Sequence, residues 1–271
     1  MNNISGLKKE GRKQLTKILR GTKGTISVTQ AAEILELPRN STAKLLAWWT
    51  RQGWLSRVKR GIYVPIPLDA TSPDIVFEDP WIVAERLYSP CYIGGWSAAE
   101  YWGLTEQIFR TIVVMTTQKP RSRRLTIKGT DFLLRTIPSN AMFGMTSVWR
   151  GQVKVNISDQ ARTIIDILNS PDLGGGLRPA VDIFRTYMTS KEKKVENLIE
   201  YAQQLGNGAV IKRLGFLSES FFSSEIKLIQ FCKTNLTKGN SKLDPSMPAD
   251  RLVTAWHLWV PQRWVKESGI D

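Results

Sequence analysis

The chain has 271 residues, 42% of them hydrophobic, and a formal charge of +14. That length and composition suit one small and one larger folded domain and exclude a low-complexity or disordered chain. The charge is uneven: residues 1–70 carry 13 Lys/Arg against 4 Asp/Glu, 71–150 carry 9 against 7, and 151–271 carry 16 against 13. A basic module joined to a near-neutral one points to a polyanion partner, nucleic acid before anionic membrane.

The first predicted element is a helix over 7–20, with Leu7, Leu15, Ile18 and Leu19 on one side and cations on the other. A Gly-Thr-Lys-Gly stretch (21–24) breaks it. A second helix is predicted over about 29–36 with Thr29 as its N-cap, ending at Leu37-Pro38 because proline disfavours a helical residue before it. The third helix runs from about Asn40 to Gln52 and stops at Gly53. Thr42, Leu45, Leu46 and Trp49 share its inner face, while Ser41, Lys44, Trp48 and Arg51 share the outer one. Leu55, Val58, Ile62 and Tyr63 then read as a hairpin with its tip at Arg60-Gly61. This succession is the plan of a winged helix-turn-helix. Prolines 65, 67 and 73 with intervening polar residues place a domain boundary near 66–76, giving an N-terminal module (1–68), a linker (69–76) and a larger domain (77–271).

In the second domain a helix is predicted around 79–88, and Ser97 to Glu100 has the spacing of a capping box opening a short helix that ends at Gly103. Strands are predicted over 111–117, 124–128, 132–137 and 153–157. Helices follow over 159–169, 178–189, 191–205, 208–214 and 221–234, while 236–271 resists assignment. Strands followed by helices make the fold class α+β.

The strongest functional signal lies in the first module. The start of a recognition helix meets base edges while neighbouring groups hold phosphates. Arg39 suits guanine and Asn40 adenine, although Asn40 suits an N-cap equally. Ser41, Thr42, Lys44 and Arg51 are candidates for phosphate or base contacts, and Arg57, Lys59 and Arg60 put three cations around the wing turn. Arg121, Arg123 and Arg124 form a possible auxiliary basic patch between two predicted strands.

Signals for catalysis are sparse, and neither an enzyme nor a cofactor is expected. Cys91 and Cys232 lack metal-type spacing and read as buried reduced thiols. His257 is the sole histidine and reads as structural. Leu173 to Gly176 lacks the lysine of a phosphate loop and reads as a turn. Asp172 with Glu192 and Lys194 resembles the acid–acid–lysine set of metal-dependent nucleases, but Glu192 opens a predicted helix rather than lying on a strand. No metal ligand is assigned. No apolar run reaches membrane-spanning length, and Met1 to Gly11 holds no leader-like apolar stretch, so the expected compartment is the cytoplasm, without a membrane partner.

Four segments together resemble the AbiEi family, antitoxins of AbiE-type (type IV) toxin–antitoxin and phage abortive-infection systems. They are TISVTQAAEILELPRNSTAKLLAWWTRQGWLSRVKRGIYVPIP (25–67), CYIGGWSAAEYWGLTEQIFRTIVVMTT (91–117), ISDQARTIIDIL (157–168) with the glycine-rich stretch 174–181, and AVIKRLGFLSE (209–219). The first is shared by many winged-helix regulators; the second and third, in that order, are more specific. The resemblance implies that the winged helix binds inverted repeats in double-stranded promoter DNA and represses its own operon. It also implies that the C-terminal domain counters a nucleotidyltransferase-type toxin encoded nearby, without need of a stable complex. A regulator of other genes lacking antitoxin activity would carry the same sequence features.

Overall fold

The computed structural model describes residues 9–22, 25–66, 79–127, 129–151, 153–262 and 264. The predicted linker (69–76) and the start of the first helix at Leu7 lie outside them. The fold is α+β, with an N-terminal winged helix-turn-helix and a larger mixed part.

The first module comprises α1 (Lys9–Gly21), β1 (Ile26–Ser27), α2 (Val28–Leu35), α3 (Arg39–Arg51), β2 (Leu55–Lys59) and β3 (Ile62–Pro65). Its core is built from Leu15 and Ile18 of α1, Ala31 of α2, Leu46 and Trp49 of α3, and Leu55 and Tyr63 of the wing. The N-cap of α2 is Ser27, whose hydroxyl oxygen accepts from the Gln30 N–H at 3.1 Å; Thr29, the residue expected there, lies inside the helix. Strand β1 was not foreseen. It pairs Ile26 with Tyr63 and adds a third strand to the wing, in the order β1-β3-β2.

The second part begins with α4 (Pro80–Tyr88), β4 (Cys91–Ile93) and α5 (Gly95–Tyr101). Gly94, not Ser97, is the N-cap of α5. Ser97 is buried inside the helix, where its hydroxyl oxygen accepts from the Val113 N–H at 3.0 Å. Then come β5 (Thr111–Thr116), β6 (Arg124–Ile127), β7 (Thr130–Thr136), β8 (Met145–Arg150) and β9 (Val153–Ser158). The six strands form one mixed sheet in the order β6-β7-β5-β4-β9-β8. Alternation along β5 sends Ile112 and Val114 to the face covered by α4, and Val113 and Met115 to the face that meets Tyr92 and Trp96.

Beyond the sheet lie α6 (Gln160–Asn169), α7 (Leu177–Thr189), α8 (Val195–Leu205), α9 (Gly208–Phe221) and α10 (Ile226–Thr234). Helix α8 starts four residues later than its sequence suggests and α9 runs seven residues further. The unassigned tail is ordered around β10 (Ser241–Lys242), β11 (Arg251–Val253) and β12 (Leu258–Val260), in the order β10-β12-β11. It is fastened to α9. Lys212 Nζ donates to the Gly239 carbonyl at 2.6 Å, the Arg213 guanidinium donates to the Lys242 carbonyl at 2.7 and 2.9 Å, and the Trp256 indole N–H donates to Glu219 at 2.6 Å. Trp256 is fully buried against Gly215, where any side chain would overlap its ring.

The sheet meets the helices through a buried charge network. Arg162 and Asp166, one turn apart on α6, form an ion pair at 3.0 Å with side chains 1% and 2% exposed. The Tyr92 hydroxyl on β4 donates to Asp166 and accepts from Arg162, both at 2.9 Å. The guanidinium also stacks 4.0 Å from the Phe143 ring centroid. Burial pushes the Asp166 carboxyl up, and Arg162 with the Tyr92 hydroxyl pulls it back. Asp166→Asn leaves the Arg162 charge buried without its counterion and should cost about 3–5 kcal/mol in urea denaturation, whereas Arg162→Met with Asp166→Leu, which removes both charges, should cost clearly less.

Candidate nucleic-acid interface

The connection between α2 and α3 is set by Glu36, whose left-handed backbone (φ 56°) ends α2, and by Pro38, which precedes α3. The two faces of α3 separate as its periodicity requires. Thr42, Leu46 and Trp49 are fully buried and Leu45 half-buried, while Ser41, Lys44, Trp48 and Arg51 are exposed.

Arg39 and Asn40 form the exposed first turn of α3. The N-cap is Pro38 and no side chain caps the helix, so the capping role considered for Asn40 is not the one it has. Its amide has no hydrogen-bond partner among the described residues. Thr42 is a correction. Its side chain lies on the core face, fully buried, and its hydroxyl donates to the Pro38 carbonyl at 3.1 Å, which leaves no surface for a nucleic acid. The helical spacing had placed it inward; only its chemistry had suggested a contact.

The wing turns at Arg60-Gly61, where Gly61 takes φ 82°, a conformation that a side chain would strain. The Gly61 carbonyl accepts from the Val28 N–H at 3.0 Å, tying the turn to the start of α2. Arg57 and Arg60 are exposed on either side of a register shift in β2. The Lys59 side chain lies outside the described residues. Among the described residues no ion pair involves Arg39, Lys44, Arg51, Arg57 or Arg60, and the module's only ion pair, Lys17 with Glu36 at 3.5 Å, lies elsewhere. Arg12, Lys13 and Arg20 add exposed cations on α1. The charge pattern of the helix had shown these three, but they were not counted as site residues.

The wing also touches the second core. Tyr63 faces the first module's core, while its neighbour Val64 is buried with Trp81, Tyr88 and other residues of the second part, with Val58 and Ile62 packed alongside.

Arg121, Arg123 and Arg124 are exposed at the start of the edge strand β6 and in the loop before it, with Lys119, two residues before Arg121 in the sequence but not counted with the patch, as a fourth exposed cation. They are distinct from the α3 and wing surface in the chain. Ser122 and Arg123 shape the loop: the Ser122 hydroxyl donates to the Arg124 carbonyl at 2.6 Å, and the Arg123 carbonyl accepts from the Leu134 N–H at 2.7 Å.

The residues weighed for catalysis are not assembled. Asp172 precedes α7 and Glu192 follows it, so a 13-residue helix, roughly 20 Å long at 1.5 Å per residue, stands between them. That removes the nuclease-like pair. Among the described residues no group of three or more His, Cys, Asp and Glu could hold a metal ion. His257 sits in a left-handed turn (φ 48°) after the short helix that carries Trp256. Cys91 and Cys232 are buried, and burial pushes the Cys232 thiol up to about 12 and the Cys91 thiol higher still, so both stay protonated.

A three-helix core and a three-stranded wing make the first module a winged helix-turn-helix, and its third helix and wing carry exposed cations that form no ion pair among the described residues. Residues 13–66 match the model of a family described as transcriptional regulator, AbiEi antitoxin, which agrees with the resemblance read from the sequence. The match covers the first module and ends at Ile66. No curated protein matches the chain. Among the described residues no helix is long and apolar enough to cross a membrane.

Thr42→Val keeps the shape of the side chain but deletes its hydroxyl. It should lower stability by about 1 kcal/mol, the worth of one hydrogen bond, and leave DNA affinity within two-fold, about the scatter of such a titration, when both are measured on folded protein. A drop in affinity near that of a base-reading variant would return Thr42 to the interface.

Proposed function

We propose that this chain is a cytoplasmic, sequence-specific DNA-binding antitoxin. Its winged helix represses the operon that encodes it by binding inverted repeats in the promoter, and its C-terminal domain neutralises a nucleotidyltransferase-type toxin encoded nearby, without need of a stable complex. No cofactor takes part. The observation that carries the reading is the coincidence, within residues 13–66, of the regulator-family match with exposed cations on α3 and the wing that form no ion pair among the described residues. Arg39 and Asn40 read base edges. Ser41, Lys44 and Arg51 hold the backbone beside them, and Arg57, Lys59 and Arg60 follow the phosphates at the wing. Arg121, Arg123 and Arg124 make an auxiliary contact. The division of labour follows the domains, 1–68 for DNA and 77–271 for the toxin.

A second reading, a regulator without antitoxin activity, is favoured by one observation: the family match ends at Ile66 and leaves the second domain outside it.

Full-length protein separates these readings, because removing the second domain would bare Val58, Ile62 and Val64. Fluorescence anisotropy on the duplex upstream of the gene should show a preference of ~10³ or more over a scrambled duplex. Arg39→Ala should cost about 1–3 kcal/mol on the upstream duplex alone and relax its sequence preference. Arg57→Ala with Arg60→Ala should weaken both duplexes and flatten the salt dependence by about one unit for each phosphate that is no longer neutralised. In cells the wing double variant should derepress the operon yet still rescue growth from the neighbouring toxin gene. Rescue absent from the unaltered protein as well would leave the regulator and remove the antitoxin.

A further inference from the structure

A pocket of about 240 Å³ opens where α5, β8, the start of α6 and the loop between α7 and α8 meet. It lies within residues 102–197 and includes none of the residues proposed to contact DNA. Roughly 300–1,000 Å³ is usual for drug-sized ligands, so this one suits a small group.

Its chemistry is rich in acceptors. Asp159 gives one carboxylate oxygen to the Arg162 N–H and the other to the Tyr201 hydroxyl, both at 2.7 Å, and each oxygen keeps a further lone pair. Glu192, also in the wall, is exposed and makes no ion pair among the described residues. Gln160 lines the same wall, and its Oε1 is sealed from solvent without a hydrogen-bond partner. Trp102 contributes an aromatic wall, its indole N–H fixed to the Ser158 carbonyl at 2.8 Å. The Tyr187 hydroxyl is already engaged with the backbone of Lys194. Lys194 is the one cation in the lining, and its side chain is exposed.

The same combination of an aromatic ring and a carboxylate holds a guanidinium twice elsewhere in this chain. Arg150 lies 4.8 Å from the Trp81 ring centroid and pairs with Asp79; Arg162 lies 4.0 Å from that of Phe143 and pairs with Asp166. In the pocket Trp102, Asp159 and Glu192 repeat the set, and among the described residues no arginine lines it. A guanidinium is planar, stacks on an aromatic face and offers five donors to acceptors in its plane. The overall charge of +14 opposes any cation from a distance. Screening over about 8 Å at physiological salt leaves the nearby carboxylates to decide.

We propose that this pocket binds a guanidinium group, supplied either by a small free guanidino compound or by an arginine side chain of a protein. The test is a nuclear magnetic resonance titration of the full-length chain that follows the Trp102 indole N–H. The probes are agmatine, the capped tripeptide Gly-Arg-Gly, and the same tripeptide with uncharged citrulline in place of arginine. A saturable shift with agmatine or the arginine peptide, and none with the citrulline peptide, is expected. Response to agmatine alone assigns the site to a free compound, and response to the peptide alone assigns it to a protein side chain. Glu192→Gln, at an exposed position, should leave thermal unfolding unchanged and weaken binding roughly ten-fold, the worth of one charge-assisted hydrogen bond. Absence of a saturable shift with both charged probes, an equal shift with citrulline, or unchanged affinity in Glu192→Gln overturns the proposal.

Discussion

One buried ion pair fixes how the helices of the larger part sit against its sheet. Arg162 and Asp166 project from α6 into the seam between sheet and helices, and Tyr92 of β4 closes the network from the sheet side. Desolvating two charges costs several kcal/mol for each ion, so the pair stabilises little against an apolar alternative. Its consequence is geometric. Arg162 has five donors and takes acceptors from three elements: Asp166 on its own helix, the Tyr92 hydroxyl on β4, and the Phe143 carbonyl in the loop before β8. Meeting all three at once restricts how α6 can sit against the sheet. Gly144 belongs to the same constraint, because a side chain there would press on Arg162 and Tyr201. The N-cap of α6, Asp159, also accepts from Tyr201 of α8, so the start of the helix is fixed from both sides.

The wing stands under a comparable constraint. Successive residues of a strand point to opposite faces, and β3 uses both: Tyr63 completes the first core and Val64 enters the second. A wing in an isolated winged helix would expose that second face to solvent. Here the apolar residues Val58, Ile62 and Val64 gain a partner surface, and the cations at the hairpin tip take their position from both domains.

What the sequence made legible was whatever one element determines by itself. The two faces of α3 followed from a 3.6-residue period, and the cations at its start and at the wing turn were visible as charge. The two strands missed in the sheet fail for opposite reasons. β4 is three residues long, buried on both faces, and shows no alternation; β8 is an edge strand whose mixed exposure hides its period. The tail was unreadable because its order comes from contacts across the chain: Trp256 needs the absence of a side chain at Gly215, and β10 needs the Arg213 guanidinium. Thr42 shows the limit within the site itself. Residue chemistry put it at the interface and helical spacing put it in the core, and spacing decided, because a buried hydroxyl with a carbonyl one turn away is already satisfied.

Cations serve two ends in this chain. In the helical block three lysines are seen in ion pairs: Lys193 with Glu225, Lys227 with Glu196, Lys233 with Glu219. Such surface pairs are screened by solvent and salt and decide little about stability. Their effect is on the field, since each neutralises a charge that would otherwise attract polyanions anywhere on the domain. On α3 and the wing no acid stands opposite Arg39, Lys44, Arg57 or Arg60 among the described residues. Potential adds where charges of one sign lie within a screening length of one another. The first quarter of the chain, with 13 Lys/Arg against 4 Asp/Glu, therefore concentrates positive potential, and the exposed Arg39 and Asn40 at the start of α3 stand within it.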